Sequence, residues 1–160
     1  MAVDKRSYWL LKSEPNCYGI DDLKRDKQTG WDGVRNYQAR NLMRDQMQVG
    51  DLALFYHSSA EPTGVAGVAK VVGPARHDPT ALDPKNDHFD PKATAKDPIW
   101  MLVDVAFVAK FPKFVSLDDL RNEDRLQGIM VLARGSRLSV QPVSPEHFKV
   151  ICELGGWKPK

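Results

Sequence analysis

The sequence contains no run approaching the ~20 consecutive apolar residues that a membrane-spanning helix requires, so no membrane partner is expected. It is also poor in net charge: 23 Lys and Arg against 21 Asp and Glu leave +2. That balance disfavours a protein that coats nucleic acid by bulk electrostatics, because such binding grows with the number of phosphates neutralised. It is compatible with a few basic side chains gripping phosphates beside a specific pocket. Cysteine is scarce, with Cys17 and Cys152 in neither C-x-x-C nor metal-ligand spacing. This excludes a disulfide scaffold and points to a reduced compartment, cytoplasmic, or nuclear if the source is eukaryotic. The N-terminal Met-Ala-Val-Asp-Lys-Arg leads into an alternating apolar run with no signal-peptide core. The four histidines, His57, His77, His88 and His147, lie far apart, and no metal site is expected. The phosphate-cradling, dinucleotide-binding, nucleophile-elbow and zinc-protease motifs are all missing, so no cofactor is expected either.

What is present is a globular composition, 42% apolar and 28% charged over 160 residues. A chain of that length buries ~70% of its unfolded surface and can form one domain, taken as 1–160. Residues 7–12 read as a buried strand that Pro15 terminates. Ile20 to Lys24 reads as a short helix, with Asp21 and Asp22 suiting its N-terminal dipole. Gly30 and Gly33 around Trp31-Asp32 read as a loop. Asn36 can cap a helix over 37–47 whose apolar stripe is Ala39, Leu42, Met43 and Met47.

Leu52 to His57 and Val65 to Val72 read as strands, the second lightened by small residues. Residues 74–98 hold four Asp-Pro pairs and read as a long ordered loop. Trp100 to Lys110 reads as a strand, Ser116 as the cap of a short helix, and Arg137 to Val143 as a further strand. Ser144-Pro145 starts a last helix that Gly155-Gly156 stops. Segment 126–133 is compatible with strand or helix. Strands and short helices interleave without βαβ spacing, which favours an α+β fold: a mixed, curved sheet or small barrel with peripheral helices.

Four clusters carry polar chemistry. Lys12-Ser13-Glu14 sits at a strand end. Trp31, between glycines, is either a plug under a loop or an aromatic face offered to a ligand. Beside it Gly33 permits close backbone approach, Arg35 can reach a phosphate, and Asn36 can read an amide-like edge or cap the next helix. Phe55-Tyr56-His57-Ser58 ends another strand. Arg134 and Arg137 around a turn can clamp an anion. Together they suit a small pocket with one stacking wall and a few polar groups, as a planar heterocycle requires. No activated nucleophile is apparent, which favours binding over catalysis.

At these residues the sequence resembles the EVE domain family. The matching stretches are Tyr8-Trp-Leu-Leu-Lys-Ser-Glu-Pro15, Asp21-Asp-Leu23, Trp31-Asp-Gly-Val-Arg-Asn-Tyr-Gln-Ala-Arg-Asn41, Gly50-Asp-Leu-Ala-Leu-Phe-Tyr-His-Ser58, Val103-Asp-Val105 and Ser136-Arg-Leu-Ser-Val-Gln-Pro-Val143. The resemblance implies a PUA-like fold, a curved mixed sheet or partly closed barrel with short peripheral helices, and kinship with YTH domains, which read a methylated adenine in RNA. It implies a non-catalytic module that takes a modified base of DNA or RNA into an aromatic pocket. Lys12, Ser13, Glu14, Trp31, Gly33, Val34, Asn36, Tyr37, His57 and Ser58 are then the expected ligand contacts, with Arg35, Arg134 and Arg137 on phosphates. Trp31 stands where YTH domains place a cage tryptophan, Glu14 where they have asparagine. Tyr37, Tyr56 and Trp100 are candidates for further cage rings. The alternative is hydrolysis of modified nucleosides, as in ASCH domains that use Lys, Thr and Glu; here Thr29 and Thr63 are the threonines nearest Lys12.

Overall fold

The computed structural model describes residues 6–133 and 138–159. Its centre is a mixed sheet of seven strands: β1 (Tyr8–Ser13), β2 (Gln28–Trp31), β3 (Leu52–His57), β4 (Gly64–Val71), β5 (Arg76–His77), β6 (Met101–Ser116) and β7 (Val140–Val143). The order is β2-β6-β4-β3-β1-β7, with β5 also paired to β6. β1 and β3 run parallel, with Tyr8 opposite Leu52 and Ser13 opposite His57, while the remaining pairs are antiparallel.

The continuous apolar runs of β1 and β3 arise because both faces of these strands are covered. Successive side chains alternate between faces. Trp9, Leu11, Ala53 and Phe55 enter one core, shared with helices α1 (Ile20–Asp26) and α2 (Tyr37–Asp45). Leu10, Leu52, Leu54 and Tyr56 enter a second, closed by α3 (Leu117–Arg121) and α4 (Pro145–Gly155). Buried Asp51 knits the lower edge: its carboxylate accepts the Trp9 indole N–H at 2.9 Å and the backbone N–H groups of Ser7 and Gln48.

Caps follow the sequence signals. Asn36 accepts the Ala39 N–H, Ser116 that of Asp119 and Ser144 that of His147, and Gly156 ends α4 in the left-handed region. Gly19 caps α1 without a side chain, and Asp22 compensates by accepting the Gly19 N–H at 2.7 Å.

Three expectations are corrected. The loop read over Gly30 to Gly33 begins only after Trp31, because Gln28 to Trp31 are a strand paired with Ala106 to Val103 of β6. β6 continues past Lys110 to Ser116, tolerating Pro112 because the ladder to β4 shifts register between Val65 and Gly67. Segment 126–133 is neither strand nor α-helix; Asp124–Leu126 and Met130–Leu132 are single 3₁₀ turns. The 74–98 stretch is ordered, carrying β5 and a 3₁₀ turn at Pro79–Leu82. The sheet is curved and does not close into a barrel. No helix among the described residues is long and apolar enough to cross a membrane.

Candidate functional site

The parallel pairing of β1 and β3 brings their C-terminal ends to one side of the sheet, and antiparallel β7 starts there too. Curvature swings β2 from the opposite edge toward them, so that Trp31 meets Phe55 of β3 edge-on at 5.3 Å. Between these ends lies a cavity of about 670 Å³. β1 and its following turn contribute Lys12, Ser13, Glu14, Cys17 and Tyr18; β2 and its extension contribute Thr29 to Gly33. Ser58, Ser139 and His88 complete the wall.

Polar groups are held in place around it. The Ser13 hydroxyl donates to the Tyr18 carbonyl at 2.6 Å. The Lys12 N–H donates to the Ser139 carbonyl at 2.9 Å, and its ammonium lies 5.8 Å from the Tyr56 ring centre. Burial pulls the Lys12 ammonium below its ordinary pKa. Burial, reinforced by the charge of Asp78, pushes the Asp32 carboxyl above its ordinary range. Tyr18 is raised by burial and by its hydrogen bond to Asp26.

One wall is tied down by Asp78, which is fully buried. Its carboxylate accepts the Gly33 N–H at 2.9 Å, Arg35 at 3.0 Å, and the Thr80 N–H and hydroxyl at 2.9 and 2.6 Å. Arg35 also donates twice to the His88 carbonyl, at 2.7 and 3.0 Å. The imidazole of His88 consequently lies against Gly33, whose φ of +77° and close neighbour both favour the absence of a side chain.

Of the expected contacts, the structure brings Lys12, Ser13, Glu14, Trp31, Gly33 and Ser58 to one cavity. Trp31 combines the two readings left open for it: 7% exposed and packed in the core, it still forms part of the cavity wall. Four residues stand elsewhere. Val34 is buried in the core and the Asn36 side chain caps α2. Tyr37 is exposed on the outer surface. His57 faces a second cavity of about 440 Å³, where its Nε2 accepts the Ile20 N–H at 3.1 Å.

Arg35 is committed to Asp78, Thr80 and backbone carbonyls rather than to a phosphate position. Arg134 and Arg137 lie outside the described residues. Tyr56 is buried in the second core, and Trp100 is buried under the loop, its indole donating to Asp90 at 2.7 Å, so neither lines the cavity. Thr29 does line it with Lys12 and Glu14, whereas the Thr63 hydroxyl donates to the Ala60 carbonyl. Cys17, Tyr18, Gly30 and Asp32 flank the motifs and were within reach of sequence reasoning. Ser139 lies within the matching stretch 136–143 but was not singled out, whereas His88 arrives from the long loop and carried no local signal. Among the described residues, no cluster of three or more His, Cys, Asp or Glu side chains is placed to hold a metal.

The family model of the EVE domain matches residues 7–154. Thymocyte nuclear protein 1 of Danio rerio is 44% identical over 166 residues, covering 92% of this chain and 71% of that protein. A hypothetical protein from Leishmania major superposes with a TM-score of 0.91 at 48% identity, over 97% of this chain and 98% of its own. Human THYN1 protein, whose crystal structure is of a complex with DNA containing 5-methylcytosine, superposes with a TM-score of 0.88 at 37% identity, over 96% of this chain and 99% of its own. The YTH domain of Zygosaccharomyces rouxii MRB1, solved with N6-methyladenosine RNA, shares the fold at a TM-score of 0.56 and 13% identity, over 100% of this chain and 92% of its own.

Proposed function

The chain belongs to the EVE domain family, and from that premise we propose that it is a non-catalytic module that takes a modified nucleobase, extruded from a DNA or RNA strand, into the cavity beside β1, β2 and β3. The observation that carries the reading is a cavity of about 670 Å³, lined by both polar side chains and Trp31, in a chain so similar to a protein crystallised with 5-methylcytosine DNA. That volume lies within the ~300–1,000 Å³ usual for small-molecule sites. Glu14 and Asp32 supply carboxylate acceptors of the kind that receive the exocyclic amino group of a base, and Ser13, Ser58 and the Gly33 backbone supply further polar contacts. Trp31 forms part of the wall. Asn36 and His57 act behind the cavity, by capping α2 and holding the start of α1.

Energetics assign selectivity to these polar groups. Extruding a base costs a few kcal/mol. Stacking on an aromatic side chain returns ~1–3 kcal/mol, and little of Trp31 is exposed to provide it. Stacking therefore offsets only part of the extrusion cost, and the polar contacts must supply the rest. A wrong base edge that leaves a buried partner unpaired loses ~1–3 kcal/mol, enough for tenfold to hundredfold discrimination.

The test is an anisotropy titration with oligonucleotides that differ only in one central modified base. A preference of about tenfold for one modification is expected, abolished by Ser58→Trp, which fills the cavity. Equal affinity for every member of a panel of cytosine and adenine modifications overturns the reading. The shared placement of Lys12, Thr29 and Glu14 favours, as a second reading, hydrolysis of a modified nucleoside. Product formation from acylated or methylated nucleosides decides between them.

A further inference from the structure

Outside the cavity, four side chains form a stack that base recognition does not use. The Arg35 guanidinium lies 5.5 Å from the Trp100 ring centre, Trp100 lies 4.9 Å from Tyr37 at a 32° tilt, and the Arg40 guanidinium lies 4.9 Å from Tyr37. The inner members are fixed, Trp100 by Asp90 and Arg35 by Asp78 and His88. Tyr37, the first residue of α2, remains 56% exposed between Trp100 and Arg40. Its contacts with Trp100 and Arg40 account for one part of the ring and leave more than half of the residue's surface open to solvent.

Arg40 differs from six other arginines in the charge of its partners. Arg25, Arg35, Arg44, Arg76, Arg121 and Arg125 each contact a carboxylate. Arg40 instead donates to neutral acceptors, the Asn41 amide oxygen and the Ile99 carbonyl. An exposed ring with a guanidinium over it, in contact with no carboxylate among the described residues, is the chemistry that receives a nucleotide, the base on the exposed part of the ring and the phosphate on the cation. The stack also starts at the right place, because Arg35 holds the carbonyl of His88, which lines the cavity mouth.

We propose that Tyr37 and Arg40 bind the nucleotide adjacent to the extruded base, stacking its base on the Tyr37 ring and pairing its phosphate with Arg40. This rests on the cavity's binding an extruded base. Since every base has a π face and every nucleotide a phosphate, this contact adds affinity without selecting the modification.

The experiment compares wild type with Tyr37→Ala, Tyr37→Phe and Arg40→Gln, on modified and unmodified strands, over a range of salt concentrations. Tyr37→Ala is expected to weaken both strands by about tenfold and leave their affinity ratio unchanged. Tyr37→Phe keeps the ring and retains wild-type affinity. Arg40→Gln weakens both strands and lowers the slope of log affinity against log salt by about 0.7–0.9. Wild-type affinity of Tyr37→Ala for both strands overturns the proposal. So does a loss confined to the modified strand, or a Tyr37→Phe variant as weak as Tyr37→Ala. Failure of the cavity reading shows separately, as equal binding of the two strands by wild type.

Discussion

Replacing Asp78 by asparagine should loosen the wall of the cavity and the whole loop that forms it. The carboxylate is fully buried and accepts four hydrogen bonds, two at each oxygen. An asparagine keeps one acceptor oxygen and turns the other position into a donor. If its amide nitrogen faces Gly33 and Arg35, the Gly33 N–H is left unpaired; if it faces Thr80, the hydroxyl can turn to accept but the Thr80 N–H cannot. Either way one part-buried N–H loses its partner, costing ~1–3 kcal/mol. The ion pair to Arg35 is lost as well, and breaking a buried pair from one side is more costly than breaking an exposed one. A loss of about 3 kcal/mol follows, which lowers Tm by roughly 6–12 °C in a domain of this size. Burial pushes the Asp78 carboxyl up, but hydrogen bonds from Thr80, Gly33 and Arg35 outweigh it and hold the group below the ordinary aspartate range. A depressed native pKa stabilises above the unfolded pKa of about 3.9, and that stability is lost as pH falls through the native value. Thermal melts followed by circular dichroism should therefore show the two proteins converging below about pH 4. A variant within 0.5 kcal/mol of wild type at pH 7, or a difference that persists unchanged at pH 2, would refute this role for Asp78.

Two further perturbations probe the frame behind the site. A Cβ at Gly67 would lie 2.2 Å from the Ala109 carbonyl, so Gly67→Ala should cost ~1–3 kcal/mol by forcing β4 from β6, whereas Gly50→Ala, with φ +99° and no neighbour within 4 Å, should show only backbone strain of about 1 kcal/mol; urea titrations of the pair rank them. His57 is held below its ordinary pKa by burial, and its Nε2 accepts the Ile20 N–H, which requires the neutral ring. The unfolded chain then takes up a proton first as pH drops below about 6.5, so His57 lowers stability from there down to its native pKa. His57→Gln should flatten that part of the stability–pH curve, and an unchanged slope would exclude His57 as its source.

The fold was legible where local chemistry decides it. The unbroken apolar runs of β1 and β3 reflect burial on both faces, and Asn36, Ser116 and Ser144 cap the helices their side chains announce. β2 was hidden because Gly30 and Gly33 punctuate it like a loop, and pairing with distant β6 overrides that signal. The second half of β6 was hidden by Pro112, which a register shift accommodates. In the site, the motif segments Lys12-Ser13-Glu14 and Trp31-Asp32-Gly33 were visible as clusters, since strand ends place them together. Asn36 and His57 were ambiguous because a side chain suited to reading a base edge is equally suited to a backbone N–H, and here the backbone takes both. Arg35 presents the same competition, decided by a buried carboxylate far along the chain.

The central claim is that a modified base leaves its stack and enters this cavity. It is tested most directly by the fluorescence of 2-aminopurine placed next to the modified base in a duplex, which rises when its neighbour is extruded. A rise is expected on saturation with wild type and none with Ser58→Trp or with the unmodified duplex. Tight binding of the modified duplex with no change in fluorescence would contradict it.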